Sequence, residues 1–196
     1  MSARAKLRLL LALRVLPRGV ARFYWRAWRH ALRDDDRFSL ASAARPAELR
    51  QLLDLARGRR VVVELGTGTA WSALALALDD RARRIVSYDP SVRVERDAYL
   101  ALAGADARAR IELRAEPDSA GPHAGDAPVE LLFIDSEHER EPVLAAFAAW
   151  REALAPGAIV VFHDYGHPQY PGVRAAVGEL GLSGEEVGGV FVWRAA

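Results

Sequence analysis

The chain contains no cysteine in 196 residues. That excludes a disulfide framework and a thiolate metal site, and it fits a reducing compartment. Long apolar runs are missing too: no stretch reaches the roughly 18 apolar residues that a membrane-spanning helix needs. Acidic residues are absent from positions 1–33, which carry nine Lys or Arg. The other positions hold 18 basic against 26 acidic groups, so a net charge of +1 conceals a basic tail on an acidic body.

What is present is an apolar content of 51%, enough for one sizeable core, in a length that suits a single domain. The stretch "KLRLLLALRVL" looks like a short signal h-region, but Arg8 and Arg14 interrupt it and no small-residue cleavage site follows closely. The segment is therefore expected in the mature, cytoplasmic protein. Phe23, Tyr24, Trp25 and Trp28 lie among Arg22, Arg26 and Arg29. This grouping favours a helical arm packed on the body over peripheral membrane contact through residues 1–33, and nucleic acid is not expected as a partner. Residues 1–45 are read as an arm or lid and residues 46–196 as the main domain.

Within the main domain, strand-like apolar runs occur at Val61 to Leu65, Arg84 to Tyr88, Ile111 to Arg114, Val129 to Ile134 and Ala158 to Phe162, each followed by a stretch able to form a helix. Before them, Pro46 suits a first helical position, Leu49, Leu52, Leu53 and Leu55 supply the apolar face, and Gly58 suits a stop. Val143, Phe147, Trp150 and Leu154 share a later helical face, which Pro156 and Gly157 are expected to close. Five near-continuous apolar strands alternating with helices predict an α/β fold, a doubly wound parallel sheet covered on both faces. "EEVGGVFVWR" predicts a C-terminal antiparallel hairpin around Gly188 and Gly189.

In such a sheet, ligands bind beyond the carboxyl ends of the strands where strand order reverses. The turn from Glu64 to Trp71 ends the first strand, and Gly66 and Gly68 there would let a ligand approach the backbone. A dinucleotide fingerprint needs a small residue at position 71, where Trp71 stands. Asp89, about twenty residues on, suits the hydroxyls of a ribose, or else the start of the next helix as a cap. Together these features describe a nucleoside-bearing ligand.

"VVVELGTGTAWSALALA" resembles the first motif of the class I S-adenosylmethionine-dependent methyltransferases, and "YDP" resembles their second, acidic motif. "PVELLFIDSEHER" and "LAPGAIVVFHDYGHPQYPGVRAAVGEL" are similar to the fourth and fifth strand regions of metal-dependent small-molecule O-methyltransferases, including bacterial sugar and catechol-type enzymes. The resemblance spans about residues 40–195 and implies a Rossmann-like fold, S-adenosyl-L-methionine as cofactor and a small hydroxyl-bearing acceptor. It implies Glu64, Gly66, Thr67, Gly68 and Ser72 around the methionine moiety, Asp89 on the ribose, and Asp118 with Ser119 near the adenine. Pro117 departs from the glycine that the family often has before that pair, so the local loop is expected to take another path.

The fold's usual order makes the fourth and fifth strands neighbours, so Asp135 and Asp164 at their ends could converge on one cation. Two carboxylates without thiols favour Mg²⁺, with Mn²⁺ or Ca²⁺ as alternatives. His163 ranks behind them as a third ligand, because successive side chains of an extended segment point to opposite faces. A helical turn after Asp135 would return His138 to the same place, and the D-x-x-H resemblance implies that His138 is the catalytic base. Alternatives from other classes are an NAD-dependent oxidoreductase, which Trp71 disfavours, and a catalytically silent nucleoside-binding or membrane-associated protein. Residues 1–45 and Gly166 to Gly172 are expected to shape the acceptor pocket, and association into a homo-oligomer stays open.

Overall fold

The apolar runs pair into one sheet. In the computed structural model, which describes residues 3–196, the strands are β1 (Val61–Leu65), β2 (Arg84–Tyr88), β3 (Ile111–Arg114), β4 (Val129–Ile134), β5 (Leu154–Phe162), β6 (Glu185–Val187) and β7 (Val190–Arg194). The first two residues of the basic stretch lie outside the described residues. Strands β1 to β5 pair in parallel, whereas β7 pairs antiparallel with both β5 and β6. The order is β3-β2-β1-β4-β5-β7-β6, which is the doubly wound α/β sheet with a C-terminal hairpin that the sequence predicts. Its direction of winding reverses between β1 and β4.

The helices are α1 (Ala3–Ala12), α2 (Arg18–Arg33), α3 (Arg37–Ser42), α4 (Pro46–Leu55), α5 (Trp71–Asp79), α6 (Arg96–Ala103), α7 (Ala105–Arg108), α8 (Arg140–Trp150) and α9 (Pro171–Glu179). Strand residues alternate between two cores, as the period of a strand requires. Val62, Leu131, Phe133, Ile159 and Val161 face α2, α4 and α5. Val63, Leu65, Leu132, Ile134, Val160 and Phe162 face α8 and α9.

Two connections differ from the sequence expectation. The helix after β4 ends at Trp150, and Leu154, Pro156 and Gly157 belong to β5 instead of the helix and its stop. The register of β4 against β5 shifts between Val129 and Leu131, so Pro156 and Gly157 sit in an exposed bulge where the missing proline N–H leaves no ladder bond unmade. Between β3 and β4 there is no α-helix, only a 3-10 turn at Asp118–Ala120. Proline and glycine at 117, 121, 122, 125 and 128 break any longer helix. Buried Asp126 holds that loop, accepting from Tyr88 Oη and His123 N–H at 2.8 Å each while pairing with Arg114.

α2 docks on the body through Val20, Phe23, Tyr24, Ala27 and Ala31, all buried. Its anchor is Trp71 in the first turn of α5, with Tyr24 at 5.2 Å, Phe23 at 6.3 Å and Tyr99 at 5.3 Å in edge-on arrangements. The indole that breaks the dinucleotide pattern is therefore a packing residue. Among the described residues, no helix is long and apolar enough to cross a membrane.

Candidate functional site

Where the winding reverses, the exits of β1 and β4 run into near contact. Asp135 N–H donates to Leu65 O at 2.8 Å, and Gly66 N–H donates to Tyr88 O at 2.8 Å. A Cβ on Gly66 would strike the Asp135 carbonyl and sit 2.8 Å from the Ser136 Cα. Gly66 is thus required by this backbone crossing as well as standing on the ligand side. Gly66 and Gly68 both line a cavity of about 560 Å³ over the carboxyl ends of the strands.

Glu64 lies beneath that turn, fully buried. Thr67 Oγ1 and Ser87 Oγ are 2.7 Å apart, and Ser87 Oγ donates to Glu64 Oε2 at 2.5 Å. With its only hydroxyl proton given to Glu64, Ser87 accepts from Thr67. Glu64 Oε1 is buried without a partner. Burial pushes this carboxyl up to about 7, and the nearby Asp135 charge adds to the rise.

Asp89 Oδ2 accepts from Gly68 N–H at 2.8 Å and Oδ1 from Ser91 N–H at 2.7 Å. Helix α6 begins only at Arg96, so Asp89 is not its cap. Buried Arg96 donates to Gly68 O at 2.9 Å and Ser91 O at 3.0 Å, tying the glycine turn and the Asp89 loop into one unit. Ser72 and Thr67 line the cavity beside this unit. Pro117 and Asp118 also line it, Asp118 accepting from Ser136 Oγ at 2.5 Å and, through its carbonyl, from Trp150 Nε1 at 2.7 Å. Ser119 is exposed and lies outside the lining, its backbone N–H capping Asp118 at 2.8 Å.

The opposite end of the cavity holds Asp135, His138 and Asp164, whose ligand atoms lie within 4.8 Å of one another. Residues 135–139 are irregular, and α8 starts at Arg140. The helical turn expected to return His138 does not form. Instead His138 stacks on Tyr170 at 4.0 Å and places Nε2 2.9 Å from Asp164 Oδ2. The start of α9 fixes this loop, because a Cβ on Gly172 would collide with the His138 carbonyl and lie 2.8 Å from the Glu139 Cα. The hydrogen bond to Asp164 raises the His138 pKa.

His163 does not point away from Asp164. Asp164 has a positive φ of 55°, which breaks the strand alternation. His163 Nδ1 is consequently 2.8 Å from Asp135 Oδ1 and 3.3 Å from Asp164 Oδ2, although poorly aligned for a hydrogen bond. Burial opposes charge on this ring, but the two carboxylates outweigh it and push its pKa up to about 11. Burial would likewise raise Asp164, yet its contacts with His138 and His163 hold it far below the usual carboxylate range.

A family model described as a methyltransferase domain matches residues 63–165, more than half of the chain. The chain belongs to this methyltransferase family. Its matched region runs from β1 to the end of β5 and so contains both ends of the cavity. The methyltransferase fold is similar to that of the O-methyltransferase TomG from Streptomyces achromogenes, which is involved in tomaymycin synthesis and was solved in complex with SAM: TM-score 0.67, 19% identity, 92% of this chain and 91% of that one. An O-methyltransferase from Bacillus cereus in complex with SAH aligns with TM-score 0.67 at 16% identity over 87% and 90% of the two chains. CalS11, a TDP-rhamnose 3'-O-methyltransferase, aligns with TM-score 0.60 at 21% identity over 76% and 78%. No curated protein matches the sequence.

Several residues of this methyltransferase site escape sequence reasoning. Ser87 looks like an ordinary strand residue and Arg96 like surface charge, yet both are buried around the glycine turn. Phe38 lines the cavity from α3 with the Arg93 guanidinium 3.4 Å over its ring centroid. His167, stacked on Tyr170 at 4.6 Å, extends the aromatic wall next to His138. His167 and Tyr170 fall inside the Gly166–Gly172 loop expected to shape the acceptor pocket.

Proposed function

We propose that this protein transfers the methyl group of S-adenosylmethionine to a hydroxyl of a small molecule, assisted by a divalent cation. The observation that carries the reading is one cavity with the Gly68–Asp89 unit at one end and Asp135, His138 and Asp164 at the other. Asp89 keeps lone pairs free for the ribose hydroxyls after accepting two backbone bonds. The unpartnered Glu64 Oε1 suits the methionine ammonium, and the first-turn N–H groups of α5 beside Ser72 suit its carboxylate. Pro117, Asp118 and the Phe38–Arg93 pair are left to flank the adenine or the acceptor.

At the reacting end, Asp164 orients His138 through Nε2, and His138 takes the proton of the acceptor hydroxyl. The oxygen then forms its bond to the methyl carbon as the carbon–sulfur bond breaks, giving a methyl ether and S-adenosylhomocysteine. Two carboxylates are a donor set for a hard cation such as Mg²⁺, which Asp135 and Asp164 would hold, leaving the His138 imidazole free to take the proton. Such an ion supplies charge that eases ionisation of the hydroxyl. A second reading comes from His163, whose ring already sits between the same two carboxylates and could compensate them without metal.

Turnover with catechols and nucleotide sugars, before and after EDTA and with Mg²⁺ restored, separates these readings; full activity in EDTA supports the second. Asp89→Ala is expected to weaken S-adenosylhomocysteine binding by about 1.5–3 kcal/mol, the scale of a lost charged hydrogen bond. Unchanged affinity by calorimetry in a folded variant would remove Asp89 from the site, and binding of NAD⁺ in its place would overturn the class.

Glu64 predicts a pH signature. Because its folded pKa is raised to about 7, ionising it costs stability, and that cost grows as pH rises from the ordinary glutamate range through 7. A ligand ammonium at Oε1 reverses the penalty, so binding of S-adenosylmethionine at about pH 6.5 is expected to release a proton. Calorimetry in buffers of different ionisation enthalpy measures this release, and Glu64→Gln should abolish it.

A further inference from the structure

The outer face of the N-terminal helices takes no part in this site. Opposite its buried side, α2 presents Arg18, Arg22, Arg26, Arg29 and Arg33, which fall in one stripe at about 100° per residue. All five are exposed, and only Arg33 pairs with an acid, Asp34, among the described residues. Ahead of it, Leu7, Leu10 and Leu11 of α1 share one face at i, i+3 and i+4 and are 58%, 42% and 48% exposed. Val15, 45% exposed, follows them. On the helix circumference Arg4 and Arg8 border this apolar arc on one side and Lys6 on the other. α1 is held in place rather than loose: Leu13 and Leu16 beyond its end are buried, Leu9 packs on the core, and Lys6 Nζ lies 5.7 Å from the Trp25 ring.

We propose that this surface docks the protein on an anionic lipid bilayer, the aliphatic side chains entering the boundary between headgroups and acyl chains while the arginines meet lipid phosphates. Aliphatic residues flanked by cations are the composition of an interfacial helix, and each cation near an anionic surface adds attraction. Charge decides against the other occupants. A second copy of this chain would bring an equally basic face, with no acidic residue in positions 1–33 to meet it. Nucleic acid would satisfy the arginines but leave Leu7, Leu10 and Leu11 in water.

The test is co-sedimentation of the full-length protein with vesicles of phosphatidylcholine alone and of phosphatidylcholine mixed with phosphatidylglycerol. Pelleting is expected with the mixed vesicles and not with phosphatidylcholine, and it should weaken as salt is raised. The triple change Leu7→Ser, Leu10→Ser, Leu11→Ser and the double change Arg22→Glu, Arg26→Glu should each weaken it by about tenfold or more. All five positions are exposed, so circular dichroism should match the unaltered protein. Failure to pellet with mixed vesicles, or undiminished pelleting of the folded leucine variant, overturns the proposal. A leucine-dependent dimer in sedimentation velocity, or duplex binding that persists in the leucine variant while vesicle binding is absent, would overturn it in favour of another occupant.

Discussion

His138→Ala is expected to lower methyl transfer by about 10²–10⁴, the usual contribution of a positioned general base, while S-adenosylhomocysteine affinity stays within a factor of about two. The separation follows from the cavity: His138 stands at the Asp164 end, away from the Gly68–Asp89 unit. The loss should shrink for an acceptor whose hydroxyl is already ionised at the assay pH, because no proton then has to be removed. His138→Gln keeps a hydrogen-bonding side chain without a base, so it should not restore turnover. Initial rates with two phenols of different acidity provide the measurement. A fully active His138→Ala enzyme, or a loss independent of acceptor acidity, would deny His138 the role of base.

Trp71→Ala should destabilise the fold by about 3–5 kcal/mol, the range for truncating a large buried aromatic. Trp71 is 5% exposed and meets Phe23, Tyr24 and Tyr99, so its removal opens a void between α2 and α5 that both helices must share. Urea unfolding followed by circular dichroism measures the change, with an unchanged m-value if two-state unfolding persists. Trp71→Phe retains most of the volume and should recover a large part of the loss. A cost below about 1 kcal/mol would mean that the arm does not depend on this anchor.

The sheet was legible because its central strands are buried on both faces and so read as unbroken apolar runs, with glycine or acid marking their ends. The limits of β1, β2 and β4 follow from those runs alone. β5 was not legible over its first residues, since Leu154 continues a helical spacing and Pro156 with Gly157 is an ordinary helix stop. Only pairing with Val129 makes that stretch a strand, and pairing is a property of two segments at once. The same reason hides much of the site. Asp89, Asp135 and Asp164 stand at strand ends and can be found from spacing, whereas Ser87 and Arg96 acquire their environment from distant backbone. His163 shows the converse, because one positive φ at Asp164 reverses an inference from alternation that is sound for regular strands.

The Trp71 anchor also orders events during synthesis. α2 cannot bury Phe23 and Tyr24 until the segment carrying Trp71, some fifty residues downstream, has left the ribosome and seated itself over β1. Until then the growing chain displays an uncovered aromatic stripe backed by arginines, which is the form most exposed to ribosomal RNA and to holdase chaperones. The time to docking of the arm on Trp71 is therefore set by elongation rather than by helix formation, which is orders of magnitude faster.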